Sequence, residues 1–182
     1  MTLAAVLTFG KRLRCLNMGG LVNTKKNEGF RSKTYTDTTG NLTTGYGFNL
    51  NDPVTAGMLP EDVISGSRGL TRKEADEVFQ KRMALAQADA VQFLGDKHYQ
   101  ALDPLRQSVL NDMAYNMGLP KLAGFKKFKK ALLSGDYEKA ADEMKNSKWY
   151  KQTKKRAKDL TEKMRAGQQQ AALEQEILNQ LL

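Results

Sequence analysis

The sequence predicts an α+β protein, mainly helical, and three observations carry that expectation. Strand-like residues are confined to the first third of the 182 residues, in Thr34-Tyr35-Thr36 and Leu42-Thr43-Thr44. The rest of the chain places apolar residues at helical spacing between capping signals. Strands segregated from helices in this way argue for α+β over alternating α/β. The expected architecture is a small hairpin-containing lobe over about 18–70, a connecting helix over about 71–94, and a larger helical lobe over about 95–167. The chain is long enough to bury a core without disulfide or metal staples.

Residues 1–17 read as an amphipathic arm or helix, with Leu3, Val6, Leu7, Leu13 and Leu16 near one face. The apolar stretch from Thr2 to Gly10 precedes Lys11, Arg12 and Arg14, the reverse of a secretory signal. Packing of this arm and a membrane-active role are both open; Cys15 within it reads as a partly buried thiol. A short helix is expected over 19–28. Asp37-Thr38-Thr39-Gly40-Asn41 then separates the two strand-like runs, as a hairpin turn requires. Pro53, Gly57, Pro60, Gly66 and Gly69 mark an irregular stretch with room for a short helix.

Thr71-Arg72-Lys73-Glu74 has the capping-box pattern and opens a long helix to about Leu94, with Ala75, Val78, Phe79, Met83 and Ala86 as its apolar stripe. Asp103-Pro104 opens the next, an acid at the cap and proline in the first turn. Its core face is Val109, Leu110, Met113, Ala114 and Met117, and Gly118 stops it. Further helices are expected over 124–133, from a Ser134 or Asp136 cap to about Lys145, and over 149–153 and 155–165. Residues 168–182 read as an uncapped helical extension, for which packing on the large lobe, pairing with the N-terminal arm and self-association are open.

Composition narrows the chemistry. A single cysteine excludes an intramolecular disulfide framework and a cysteine-rich zinc site, and a single histidine, His98, argues against a histidine-rich metal centre. His98 reads as an exposed loop residue. No metal or cofactor is expected, and acid–base work falls to carboxylates. No apolar run approaches the roughly 20 residues that span a bilayer.

The most informative segment runs from Glu28-Gly29-Phe30-Arg31 through Tyr35, Asp37, Gly40 and Thr43 to Gly45-Tyr46-Gly47. A hairpin folded back over a helix end at Glu28 can set Asp37 and Thr43 opposite that carboxylate. Two carboxylates across one bond are the minimum equipment of a glycoside hydrolase, one protonated and one ionised. By spacing alone, scattered surface residues are the alternative.

This segment closely resembles the signature of the phage-type, T4-like lysozymes (glycoside hydrolase family 24), E-G-x-R-x-x-x-Y-x-D-x-x-G-x-x-T-x-G-Y-G-H. It matches every fixed position but the last, where Phe48 stands for histidine. Asn116-Met117-Gly118 with Ala123-Gly124-Phe125, and Ser147-Lys148-Trp149-Tyr150-Lys151-Gln152-Thr153 with Arg156-Ala157, are similar to two further family blocks, in family order. The likeness covers about 18–167 and implies a lysozyme-like fold with a cleft between the lobes.

The resemblance implies a muramidase that cuts between N-acetylmuramic acid and N-acetylglucosamine with inversion. Glu28 would be the general acid, while Asp37 and Thr43 would position the attacking water. Arg156 matches an arginine that pairs with the catalytic glutamate; a surface arginine on a basic helix is its alternative. A guanidinium there would lower the pKa of Glu28, which desolvation by bound sugar would have to oppose. Asn116 matches a cleft amide, with an ordinary helix-end polar residue as alternative. Trp149 reads as core, and Tyr35 as a residue packed under the hairpin that supports the site. Arg82 is expected to face Phe48, through aromatic packing or a cation–π contact.

Two other readings stay open: a lytic transglycosylase on the same bond, and a cationic membrane-disrupting or wall-binding protein that needs no catalysis. Residues 121–165 hold 15 lysines and arginines against 6 acids, a surplus that equals the net charge of +9. That basic region suits attraction to an anionic bacterial envelope. Peptidoglycan is the expected partner, nucleic acid is not, and a monomer is expected. Without a signal peptide, synthesis in the host cytoplasm is expected. Action would then be on the periplasmic wall, through a membrane hole made by a separate holin, or from the virion.

Overall fold

β-branched and aromatic residues form strand β1 (Arg31–Thr36) and its antiparallel neighbour β2 (Leu42–Gly45), with Tyr35 opposite Thr43 and Thr36 opposite Leu42. The computed structural model describes residues 29–37 and 40–180, with side-chain burial to residue 167. The expectations for the N-terminal arm, Cys15, the 19–28 helix and Glu28 lie outside the described residues.

A third strand, β3 (Phe48–Asn49), completes a sheet of order β1-β2-β3. Gly45 makes this return possible. It has φ +61, and a Cβ there would lie 2.6 Å from the Phe48 ring and 2.9 Å from Leu70. Phe48 thus drops into the small core, 2% exposed, beside Tyr46, Leu59, Val63 and Leu70. Burying a ring of this size contributes roughly 2–3 kcal/mol.

The irregular stretch contains two short helices, α1 (Pro53–Ala56), capped by Asp52, and α2 (Glu61–Ile64). The long helix α3 (Arg72–Leu94) starts in the expected capping box, Thr71 and Glu74 bonding reciprocally. Arg68 also binds Glu74, and its hydrogen bond leads the effects that hold the Glu74 carboxyl down at about 2. Ala75, Val78, Phe79 and Met83 of α3 close the small core; Ala86, Ala90, Phe93 and Leu94 enter the large one. One helix therefore serves both cores, and Tyr115 packs against each.

The larger part comprises α4 (Asp96–Ala101), α5 (Pro104–Leu122), α6 (Lys126–Leu133), α7 (Tyr137–Lys145), α8 (Lys148–Thr153) and α9 (Lys155–Gln180). Asp103 caps α5 by accepting from the backbone N–H groups of Leu105 and Arg106. Gly118, at φ 74 and ψ 161, breaks that helix where expected, but a further turn follows to Leu122. Asp136, not Ser134, caps α7. The helix expected to end near residue 165 continues to Gln180 across a break at Gly167. Val109, Leu110, Met113, Phe128, Met144, Leu160 and Met164 form the centre of the large core. Among the described residues, no helix is long and apolar enough to cross a membrane.

Two expectations need correction. His98 is exposed but lies in α4, not in a loop. Arg82 does not spend its charge on Phe48. Its Nη1 donates to Asp52 at 2.9 Å, and its guanidinium lies 5.6 Å from the Tyr115 ring centroid. Phe48 instead meets Tyr46 edge to face. Burial pushes the Asp52 carboxyl up, but bonds from Thr55 and Val54 and the charge of Arg82 outweigh it, leaving the group below the usual carboxylate range.

Candidate active site

The hairpin turn is built around the backbone of Asn41. Its carbonyl accepts from the Asp37 N–H at 2.9 Å and from the Thr43 hydroxyl at 3.1 Å. Its N–H donates to Asp37 Oδ1 at 2.9 Å. Gly40, at φ +85, donates to the Asp37 carbonyl and closes the loop. Three hydrogen bonds thus tie Asp37 and Thr43 to the backbone of one residue, Asn41. Cross-strand pairing of Tyr35 with Thr43 puts these two on one face of the hairpin, and Asp37 follows β1 directly, at the start of the turn. The Thr43 hydroxyl hydrogen is committed to Asn41, so Oγ1 meets other groups as an acceptor. Asp37 is half-buried and Thr43 is buried.

Tyr35 is half-buried on this hairpin, and the Arg31 guanidinium sits 4.3 Å from its ring centroid. Cation–π contact holds the ring against its own strand.

One face of α5 carries Asn116 and, one turn earlier, the partner of Arg156. Asn116 Oδ1 accepts from the Trp149 indole N–H at 2.8 Å. One helical turn earlier, Asp112 Oδ1 accepts from Arg156 Nε at 2.7 Å. The two acceptors on α5 thereby capture both ends of the segment from Trp149 to Arg156. Trp149 is 7% exposed and belongs to the large core, as expected, whereas Asn116 is exposed. With its oxygen engaged, the Asn116 amide offers N–H donors to a ligand. Arg156 is not a surface arginine: its side chain is 10% exposed and that of Asp112 only 5%. Lys154, with φ 47, forms the joint between α8 and α9. A non-glycine residue there stores backbone strain, two residues before Arg156.

Asn41 and Asp112 were not singled out from the sequence. Asn41 works through its backbone, which leaves no side-chain signal. Asp112 did leave one: a carboxylate inside the apolar run Val109 to Ala114, four residues before Asn116.

Next to Trp149, an open pocket of about 560 Å³ is lined by Met117, Phe125, Phe128 and Trp149, with Lys121, Lys126, Lys127 and Lys148 around it and Glu143 among them. Among the described residues, no group of three or more histidine, cysteine or acidic side chains is placed to hold a metal ion.

The phage lysozyme family model matches residues 25–167. The pre-baseplate central spike protein of Enterobacteria phage T4 is 31% identical over 157 residues, 80% of this chain but 27% of that protein. A probable T4-type lysozyme of Dictyostelium discoideum is 30% identical over 146 residues, 73% of this chain and 85% of that protein. The chain therefore spans about a quarter of the first of these relatives and most of the second.

Proposed function

The chain belongs to the phage lysozyme family, and from that premise we propose that it is a muramidase hydrolysing the β-1,4 bond between N-acetylmuramic acid and N-acetylglucosamine in peptidoglycan. The single observation that carries this reading is the knot of Asp37 and Thr43 around Asn41. It ties two hydrogen-bond acceptors to the backbone of one turn residue. A water that gives one O–H to each is left with its lone pairs turned outward, as a nucleophile needs.

In this mechanism Glu28 protonates the glycosidic oxygen as the C–O bond breaks, and positive charge develops on the muramic acid ring. The water attacks the anomeric carbon from the opposite face and passes its proton toward Asp37, so that configuration inverts. Thr43 fixes the direction of attack. Arg156 pairs with the Glu28 carboxyl, Asn116 donates to an N-acetyl or ring oxygen, and Tyr35 supports the hairpin. The catalytic domain extends over 18–167, with the cleft between the two cores, and the protein works as a monomer.

The lysine-lined pocket supports a second contribution, attraction of the basic 121–165 region to an anionic envelope, which salt weakens. Wall hydrolysis as an endolysin reaching the periplasm is our first assignment. Likeness to a baseplate spike protein supports action from the virion as the alternative.

Turbidity loss of purified, lipid-free cell walls tests the reading, with Glu28→Gln as the decisive variant. Clearing should vanish in that variant; retained clearing means a protein that acts without this chemistry. The parent should release soluble fragments with new reducing ends. Anhydro-muramic products would assign a transglycosylase instead.

A further inference from the structure

We propose that the open pocket beside Trp149 is a binding site for an anionic lipid, which lays its acyl chain on the aromatic floor and its phosphate among the lysines of the rim. This deepens the envelope attraction proposed above, in which the basic region supplies long-range charge only. A pocket adds short-range recognition of one chemical class. It rests on that envelope reading and on no step of the hydrolysis.

The floor is apolar and already in place. Phe128 and Trp149 are buried, at 1% and 7% exposure. Met117 and Phe125 are half-buried, so part of each is open to an occupant. Phe125 meets Phe128 edge to face with ring centroids 6.2 Å apart, and the Trp149 indole is held by its bond to Asn116 at 2.8 Å. Side chains fixed in this way lose little freedom when a ligand arrives. The volume of about 560 Å³ lies within the range of roughly 300–1,000 Å³ that small organic ligands occupy.

The rim has the opposite character. Lys121, Lys126, Lys127 and Lys148 are all exposed, and the lining residues include one acid, Glu143. Helix α6 begins at the same edge, and Phe125 at its N-cap makes no side-chain cap, so the positive end of the helix adds to the field of the lysines. A hydrophilic polyanion would satisfy this rim and leave the aromatic floor wet. A neutral hydrocarbon would fill the floor and leave the lysines without a counter-charge. A molecule that joins an apolar chain to a phosphate uses both, as an anionic membrane lipid does.

Trp149 is the single tryptophan of the chain, so its fluorescence reports on this pocket. Titration of the full chain with octyl and with decyl phosphate, both below their micelle thresholds, should give a saturable change. Decyl phosphate should bind about tenfold more tightly, because two further CH₂ groups leave water. The variant K121Q/K126Q/K127Q alters exposed side chains only, so the fold should hold, and it should weaken decyl phosphate by about tenfold or more. The variant K73Q/K139Q/K155Q loses the same charge at exposed lysines outside the pocket and should bind as the parent does. Phosphatidylglycerol vesicles should likewise be held less well by the first variant than by the second. Equal affinity for the two chain lengths, or an equal response to inorganic phosphate, would overturn the proposal by showing that the floor takes no part. Equal loss of vesicle binding in both triple variants would also overturn it, while the general attraction, which needs only net charge, would stand. A fluorescence change that follows protein concentration with a doubling of mass would make the pocket a contact between copies and overturn it as well. The clearing assay with Glu28→Gln tests the muramidase reading separately.

Discussion

The guanidinium of Arg106 fills the space that a side chain at Gly167 would need. Its atoms lie 2.5 to 2.7 Å from where a Cβ would stand. Arg106 cannot easily withdraw. It donates to the Met164 carbonyl at 2.9 Å, to the Arg165 carbonyl at 3.1 Å and to Asp103 at 2.7 Å. Its Cζ also sits 3.6 Å from the Tyr137 ring centroid. The break in α9 is therefore a designed stop. A cation from α5 satisfies carbonyls that the helix leaves open, and the backbone at φ 66 and ψ −178 is one that only glycine adopts readily.

Gly167→Ala should accordingly destabilise the protein by about 2–4 kcal/mol, from backbone strain plus displacement of Arg106. For a chain of this size that corresponds to a fall in Tm of roughly 5–15 °C in a thermal melt. In an Arg106→Ala background the collision disappears and the strain remains, so the same substitution should cost clearly less. An equal cost in both backgrounds would mean that the guanidinium yields freely.

Asp89 links stability to pH in the opposite sense from a typical surface acid. Burial pushes its carboxyl above the usual carboxylate range, against the bond from the Leu119 N–H and the charge of Arg82. Between the unfolded and folded values the folded protein binds more protons, so stability falls as pH rises through that window. The acid is kept because it receives Leu119 N–H at the start of the turn that follows the Gly118 break. Asn preserves that acceptor without the ionisation cost. Asp89→Asn should raise Tm by roughly 1–3 °C at neutral pH, and the gain should vanish in melts below the ordinary aspartate range. A gain that persists in acid would remove ionisation as its cause.

How much could be read beforehand depended on whether a feature is local. Thr71 and Glu74 announce α3, and Asp103-Pro104 announces α5, because a cap is a contact over three residues. Strand β3 has only two residues, and α4 has no side-chain cap, so neither leaves a pattern longer than noise. Arg82 shows the same limit at a distance. Phe48 was visible as a departure from the family pattern, but its replacement partners, Tyr46 and Leu70, and the transfer of Arg82 to Asp52 depend on how the sheet returns over α3. At the site, Asp37 and Thr43 could be named from the family signature that their segment resembles. Their attachment to the backbone of one residue could not, since the Asn41 backbone would serve equally well with another side chain.

That attachment makes two substitutions in the hairpin differ in kind. Asp37→Asn keeps an oxygen for the Asn41 N–H, so the turn should hold and the thermal melt should stay within about 1 °C of the parent. The charge that receives the proton of water is lost, and kcat on purified peptidoglycan should fall by about 10²–10⁴-fold. Thr43→Val keeps the shape of a β-branched side chain but removes the donor to the Asn41 carbonyl along with the acceptor for water. The Asn41 carbonyl keeps its bond from the Asp37 N–H, so the lost hydroxyl bond costs about 0.5–1.5 kcal/mol, and this variant should lose some stability as well as activity. Thr43→Ser restores both hydrogen bonds and should recover most of each. If Asp37→Asn proved as unstable as Thr43→Val while keeping its activity, Asp37 would be a turn residue only, and the water would need another acceptor.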